Sequence, residues 1–210
     1  MKKTETRSFF CEVRAEESER GKIIVGRPIV YDSRTDLGYF DEVIERGALD
    51  QTDLRDVRFL VNHDVSRIPL ARSRRNNGNS TMLLSVVPEG LDVRVNLDTE
   101  NNSEARALYS AVERGDITGM SFMFSVRDEE WDDVSSDHPL RRIKSIETVI
   151  EVSAVTFPAY EATSIQARDR EALESALAAL ENARSHAKPV ETGDIDLLKA
   201  KTKLLGGWKN

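Results

Sequence analysis

Leu91-Asp92-Val93-Arg94-Val95-Asn96-Leu97-Asp98 alternates apolar and polar side chains at every position. A period of two belongs to an extended strand with one covered face and one wet face, so this stretch predicts a half-buried β-strand. Working outward, Pro88-Glu89-Gly90 reads as a hairpin connection and Met82 to Val87 as the partner strand. Asn76-Asn77-Gly78-Asn79 is a turn before that pair.

Toward the N-terminus, residues 8–31 predict two strands. Phe9, Cys11 and Val13 alternate in the first, and Ile23-Ile24-Val25 and Ile29-Val30-Tyr31 make up the second, after a polar turn near Arg20-Gly21. Residues 41–54 carry Val43, Ile44 and Leu49 among acids and predict short helical turns broken at Gly47. Val57, Phe59 and Val61 share one face of a further strand. His63 continues that face by period two, so its ring is expected on the covered side of the sheet.

Toward the C-terminus, residues 103–114 predict a helix, with Ala105, Leu108, Tyr109 and Val112 on one face. Asn102 or Ser103 can cap its start and Gly115 ends it. Ile117 to Val126 predicts a strand, with Phe122, Phe124 and Val126 on one face and Gly119 and Ser121 on the other. Residues 127–140 read as an acidic loop with Trp131 and Pro139, and residues 141–158 as a long extended stretch. After Ser164 the composition turns to Ala, Glu, Arg and Leu. Residues 167–186 predict an amphipathic helix whose stripe of Leu173, Leu177 and Leu180 is too narrow for a core element, and Lys188-Pro189 breaks it. The chain therefore divides into a domain over residues 1–165 and a charged helical or flexible tail over 166–210. Many strands with one clear helix among them predict an α+β, mostly β fold: a small closed β-barrel with helices outside it and a helical C-terminal tail.

Composition narrows the function. A chain of 210 residues with 39% hydrophobic content suits one domain plus an appendage. A net charge of −7 argues against a general nucleic-acid coat, which needs a basic stripe. The run Arg72-Ser73-Arg74-Arg75 is a local exception that reads as a solvated loop. Cys11 is the single cysteine, so no intrachain disulfide forms, which fits a reducing compartment. Its alternation with Phe9 and Val13 reads as a buried strand residue, not a nucleophile. Met1-Lys2-Lys3 is followed by charged residues and no run is apolar enough to span a membrane, so a soluble intracellular protein is expected.

Three segments carry groups that could do chemistry. They are Val61-Asn62-His63-Asp64, Gly119-Met120-Ser121-Phe122, and Glu151-Val152-Ser153 within the long extended stretch. A serine hydroxyl needs a base to take its proton, and the base needs a partner to orient it and to stabilise its charged form. The order His, Ser, acid is not that of chymotrypsin, subtilisin or the α/β-hydrolases. Spacing leaves bland readings open. Ser121 also suits a solvated face, and His63 a surface or satisfied core position. Glu151 is either in water on an edge strand or buried with a partner, since an isolated carboxylate among Val149, Ile150 and Val152 would be costly. Glu147 shares its face by period two and is the rival acid. Three scattered histidines and no thiolate cluster make a metal site the weaker reading.

Several short segments occur together in one order: Gly47-Ala48-Leu49, Asn62-His63-Asp64, Pro69-Leu70-Ala71-Arg72 and Gly90-Leu91. Arg114-Gly115-Asp116-Ile117-Thr118-Gly119-Met120-Ser121-Phe122, Glu151-Val152-Ser153 and Val155-Thr156-Phe157-Pro158-Ala159-Tyr160 follow. In this order and spacing the chain resembles the prohead serine proteases of tailed bacteriophages, over most of its first 165 residues. Met123 departs from the small residue common after that serine-phenylalanine pair. The resemblance implies a fold related to herpesvirus assemblins, a β-barrel ringed by helices. It also implies a serine endopeptidase without a cofactor, in which Ser121 is the nucleophile, His63 the general base and Glu151 the third member. The implied partners are scaffold and the major capsid protein, cleaved inside the assembling prohead in the host cytoplasm. Self-cleavage is implied too, with room for a homo-oligomer, and no membrane or specific nucleic acid is involved. The alternative is a non-catalytic assembly module with the same fold.

Overall fold

Apolar alternation and cross-strand charge pairing organise the residues that the computed structural model describes, 4–10, 13–18, 21–156 and 170–186. The larger sheet runs in the order β1 (Thr4–Phe10), β10 (Gly119–Asp132), β11 (Leu140–Val155), β5 (Asp41–Ile44), β4 (Thr35–Asp36). A branch leaves β11 through β6 (Arg58–Val61) to β7 (Ala71–Arg72). The smaller sheet runs β2 (Arg14–Ser18), β3 (Gly21–Val30), β9 (Gly90–Asn96), β8 (Met82–Val87). One core joins the two sheets to α1 (Ser103–Glu113), with Ile24, Leu91 and Val93 from the small sheet meeting Phe122 and Val152 of the large one. Each such buried side chain contributes about 1.5–3 kcal/mol.

The segments read most directly from the sequence form as expected. Val93 and Val95 on β9 are buried while Arg94 is exposed. At Gly90 a Cβ would lie 1.9 Å from the Ile29 carbonyl oxygen, and φ is +151°, so only glycine fits where β3 and β9 meet. Asn102 caps α1, its side-chain oxygen accepting from the Glu104 and Ala105 amides at 2.9 and 3.3 Å.

The expected closed barrel does not form among the described residues: the two sheets stay separate and open. Closure requires every strand to have two neighbours. Here the outer edge of β11 is shared by two short parallel partners, β5 along Leu140–Ile143 and β6 along Glu151–Ala154, so the sheet branches instead of curling onto its neighbour. Parallel pairing to β11 also explains why residues 41–44 are a strand, not the first of the expected helical turns. The acidic loop shrinks for an electrostatic reason. Trp131 and Asp132 stay within β10 because β11 offers basic partners to three of its acids: Arg141 to Glu129, Arg142 to Asp132, and Lys144 to Glu130. Cys11 lies outside the described residues.

A fully buried ion network fastens β1 to the rest of the large sheet. Arg7 donates to both oxygens of Glu42, at 2.5 and 2.7 Å, and to Glu5 at 2.8 Å. Arg141 donates to Glu5 at 2.6 and 2.8 Å and to Glu42 at 2.9 Å, and also bonds Glu129. Burial pushes the Glu5 carboxyl up, but Arg141 and Arg7 outweigh it and hold its pKa at about 2, against an ordinary 4.5. A carboxyl depressed in the folded state stabilises the fold fully above its unfolded pKa, and the contribution fades as pH falls through the folded one. Glu5 thus contributes on the order of 3 kcal/mol at neutral pH, lost between pH 4.5 and about 2. Urea unfolding at stepped pH is expected to show a steep loss of stability across that window. Glu5→Gln flattens it, and equal slopes for the two proteins would remove this account.

The helix α2 (Arg170–His186) seats on one end of the large sheet. Leu180 is buried against Phe40, with Leu37, Trp131 and Val134 around them, and Arg184 donates to the Val134 and Ser136 carbonyls at 3.0 and 2.9 Å. A narrow apolar stripe suffices for this small second cluster. Residues 157–169 and 187–210, which hold most of the expected tail outside the helix, lie outside the described residues. Among the described residues no helix is long and apolar enough to cross a membrane.

Candidate active site

Strand β11 brings the acid to the site. Glu151 is 1% exposed, and its carboxylate is held by two donors: the His63 ring at Nδ1, 2.5 Å from Oε1, and the Ser153 hydroxyl, 2.6 Å from Oε2. Of the open readings, the buried and partnered one holds, and the cost of desolvating the carboxylate is offset by those two bonds. A carboxylate only accepts, so Nδ1 carries the proton of the neutral ring and Nε2 is left as the basic nitrogen. That Nε2 is buried and has no hydrogen-bond partner.

His63 reaches Glu151 by a route that strand periodicity does not foresee. β6 ends at Val61, and Asn62 and His63 both take left-handed backbone conformations, with φ of 52° and 58°. Such values are uncommon for residues other than glycine, and they cluster where surrounding bonds enforce them. Here the Asn62 side chain does so, accepting from the Thr156 amide at 2.9 Å and donating to the Thr156 hydroxyl at 3.0 Å. The His63 amide donates to the Ser153 hydroxyl at 3.1 Å. Asp64 turns outward, and its bonds to the Ser66 hydroxyl and to Arg67 hold its carboxyl below the usual range.

Ser121 lies on β10 directly opposite Ser153 in the antiparallel register, so their side chains share a face roughly 5 Å apart at Cβ. It is fully buried, not solvated, and its hydroxyl donates to the Arg7 carbonyl at 2.8 Å. The structure therefore brings His63 and Glu151 into contact and places Ser121 one strand away. Since Nε2 is unpartnered, the serine–histidine hydrogen bond is not made. Between Glu151 and Glu147 the β10–β11 ladder breaks at Met123/Phe124, and Glu147 itself falls in the second break, at Ser125/Val126, where the Ser125 hydroxyl donates to it at 3.5 Å.

Beside His63 runs a groove of about 680 Å³ between the loop after β6 and α1. Leu60, Leu70, Leu108 and Ala111 give it apolar walls; Asn62 and Asp64, the sequence neighbours of His63, line it, and His63 itself does not. Among the described residues one other cluster has ligand-like chemistry: Asp36, Asp41 and His138 converge within 4.8 Å, with Arg34 already paired to Asp41 at 2.5 Å. The residues missed by sequence reasoning are Ser153 and Asn62. The signal for Ser153 was its offset of two from Glu151, which puts both on one face of a strand.

A buried carboxylate–histidine pair with a serine on the adjoining strand is the material of a serine hydrolase, and comparison with known proteins narrows the class. The family model described as caudovirus prohead serine protease matches residues 10–176. The chain belongs to that family, which is one of serine peptidases. The solved structure of the capsid assembly protease gp21 of bacteriophage T4 aligns with a TM-score of 0.40 and 10% identity, covering 73% of this chain and 99% of that one. No curated protein matches the chain.

Proposed function

We propose that this chain is the endopeptidase that matures a tailed-phage prohead, cleaving scaffold or a scaffold-like segment of the major capsid protein, and finally itself. Residues 1–165 are the protease domain in this reading, and 166–210 a tail that engages scaffold or capsid protein. The single observation that carries it, beside the family, is the bond of the half-buried His63 ring to the buried Glu151 carboxylate, which leaves Nε2 as a base. Ser121 Oγ attacks the peptide carbonyl carbon and its proton passes to His63 Nε2. The tetrahedral intermediate then expels the amine, which takes that proton. Water, activated by the same nitrogen, hydrolyses the acyl-enzyme. Glu151 keeps its negative charge throughout and stabilises the imidazolium. The step requires Ser121 to exchange the Arg7 carbonyl for Nε2, and catalytic hydrogen bonds commonly tighten only when substrate is bound. Binding of a substrate chain at the His63–Ser121 site would supply that occupancy.

The rival is the non-catalytic assembly module, favoured by the hydroxyl's present bond to Arg7. A fluorophosphonate probe on the full chain separates the two. One adduct, located at Ser121 by peptide mass and absent from His63→Ala, is expected of the endopeptidase. An unlabelled chain that also leaves co-expressed capsid protein at its precursor mass is the result expected of the module.

A further inference from the structure

We propose that Ser153 is a positioning residue of the active site, setting both the acid and the base through one hydroxyl; the inference rests on the endopeptidase reading. A hydroxyl has one proton to give and two lone pairs to offer. Ser153 gives the proton to Glu151 Oε2 at 2.6 Å and accepts the His63 amide proton at 3.1 Å. It is fully buried, so no water competes for either role. The first bond fixes the carboxylate's rotation, which leaves Oε1 aimed at Nδ1. The second ties down the left-handed turn that carries the imidazole. Asn62 and Thr156 clamp the preceding residue, and Ser153 holds the His63 amide while Glu151 holds its ring.

The same hydroxyl is the second donor to the Glu151 carboxylate, beside the His63 ring. The charged neighbours are otherwise engaged. Arg58 aligns with Glu151 in the β6–β11 ladder but pairs with Asp56, Asp64 is held by Ser66 and Arg67, and Arg7 on β1 is bound into the buried network. β10 presents Ser121 and Met123, which carry no charge, and Glu147 lies past one register break and within the next.

The test uses the full-length chain with Ser153→Ala and Ser153→Thr, followed by peptide kinetics and by NMR of the His63 Nδ1–H proton, whose signal reports the bond to Glu151. Alanine is expected to lower kcat on the order of 10²-fold with little change in KM. The Nδ1–H signal should move upfield and broaden as that bond loosens, and threonine should restore both. An unmoved Nδ1–H signal, or a loss that threonine does not restore, overturns the proposal. Should threonine fail to fold in so tight a site, Ser153→Cys carries the comparison, as a weaker donor expected to fall between serine and alanine. The NMR readout needs no turnover. Cleavage surviving in Ser121→Ala would end the endopeptidase reading without deciding the role of Ser153.

Discussion

Ser121→Ala is expected to lower peptide-bond cleavage by about 10⁶-fold, and His63→Ala by the same order, because a nucleophile and its base act as a unit. For the same reason the double variant should be no slower than either single one. Both proteins should stay folded. Ser121 loses one hydrogen bond, to the Arg7 carbonyl, worth about 1 kcal/mol. His63 sits at the end of β6, partly exposed, and supports no core cluster. The β1 strand that now accepts the serine's proton is anchored by the Arg7–Glu42–Arg141–Glu5 network, so the Arg7 carbonyl is a fixed competitor for that hydroxyl. Intact-mass analysis of co-expressed capsid precursor, with unfolding curves of each variant, checks both statements. Turnover surviving in either folded variant removes the assigned roles.

The parts legible in the sequence were those with one strong local signal. Leu91 to Leu97 declared a strand by alternation, and Asn102 declared the start of α1 by its side-chain oxygen. The candidate residues His63, Ser121 and Glu151 were legible as proposals, since they stand in recognisable segments. Their geometry was not. His63 was placed by extending a strand that stops two residues earlier, and the left-handed turn at Asn62 depends on bonds to Thr156, distant in sequence. Glu147 and Glu151 share a face under a strict period of two, but bulges in the β10–β11 ladder break that period and alternation cannot reveal them. The closed barrel failed on long-range pairing, because nothing local to β5 or β6 says that both lie along one edge of β11. Glu129, Glu130 and Asp132 looked like part of a loop only until their basic partners on β11 were in view.

The acid separates these two levels most sharply. Glu151→Gln is expected to slow cleavage by about 10⁴-fold, whereas Glu147→Gln should leave it nearly unchanged. Glutamine keeps the size of the side chain and can still accept from Nδ1–H, so the fold and the ring's position should survive. It cannot stabilise the imidazolium that forms when His63 takes the serine proton. Nor would Ser153 find a full negative charge at the position of Oε2. Glu147 differs by place, not by chemistry: it falls in the second register break, where Ser125 bonds it, and lines the cleft formed with Asp53, Arg55 and Arg127. Comparison of kcat/KM on one capsid-derived peptide decides between them. If Glu147→Gln is the crippled enzyme and Glu151→Gln is not, the third member is Glu147. The His63–Glu151 bond would then be a structural contact that holds the histidine turn to β11.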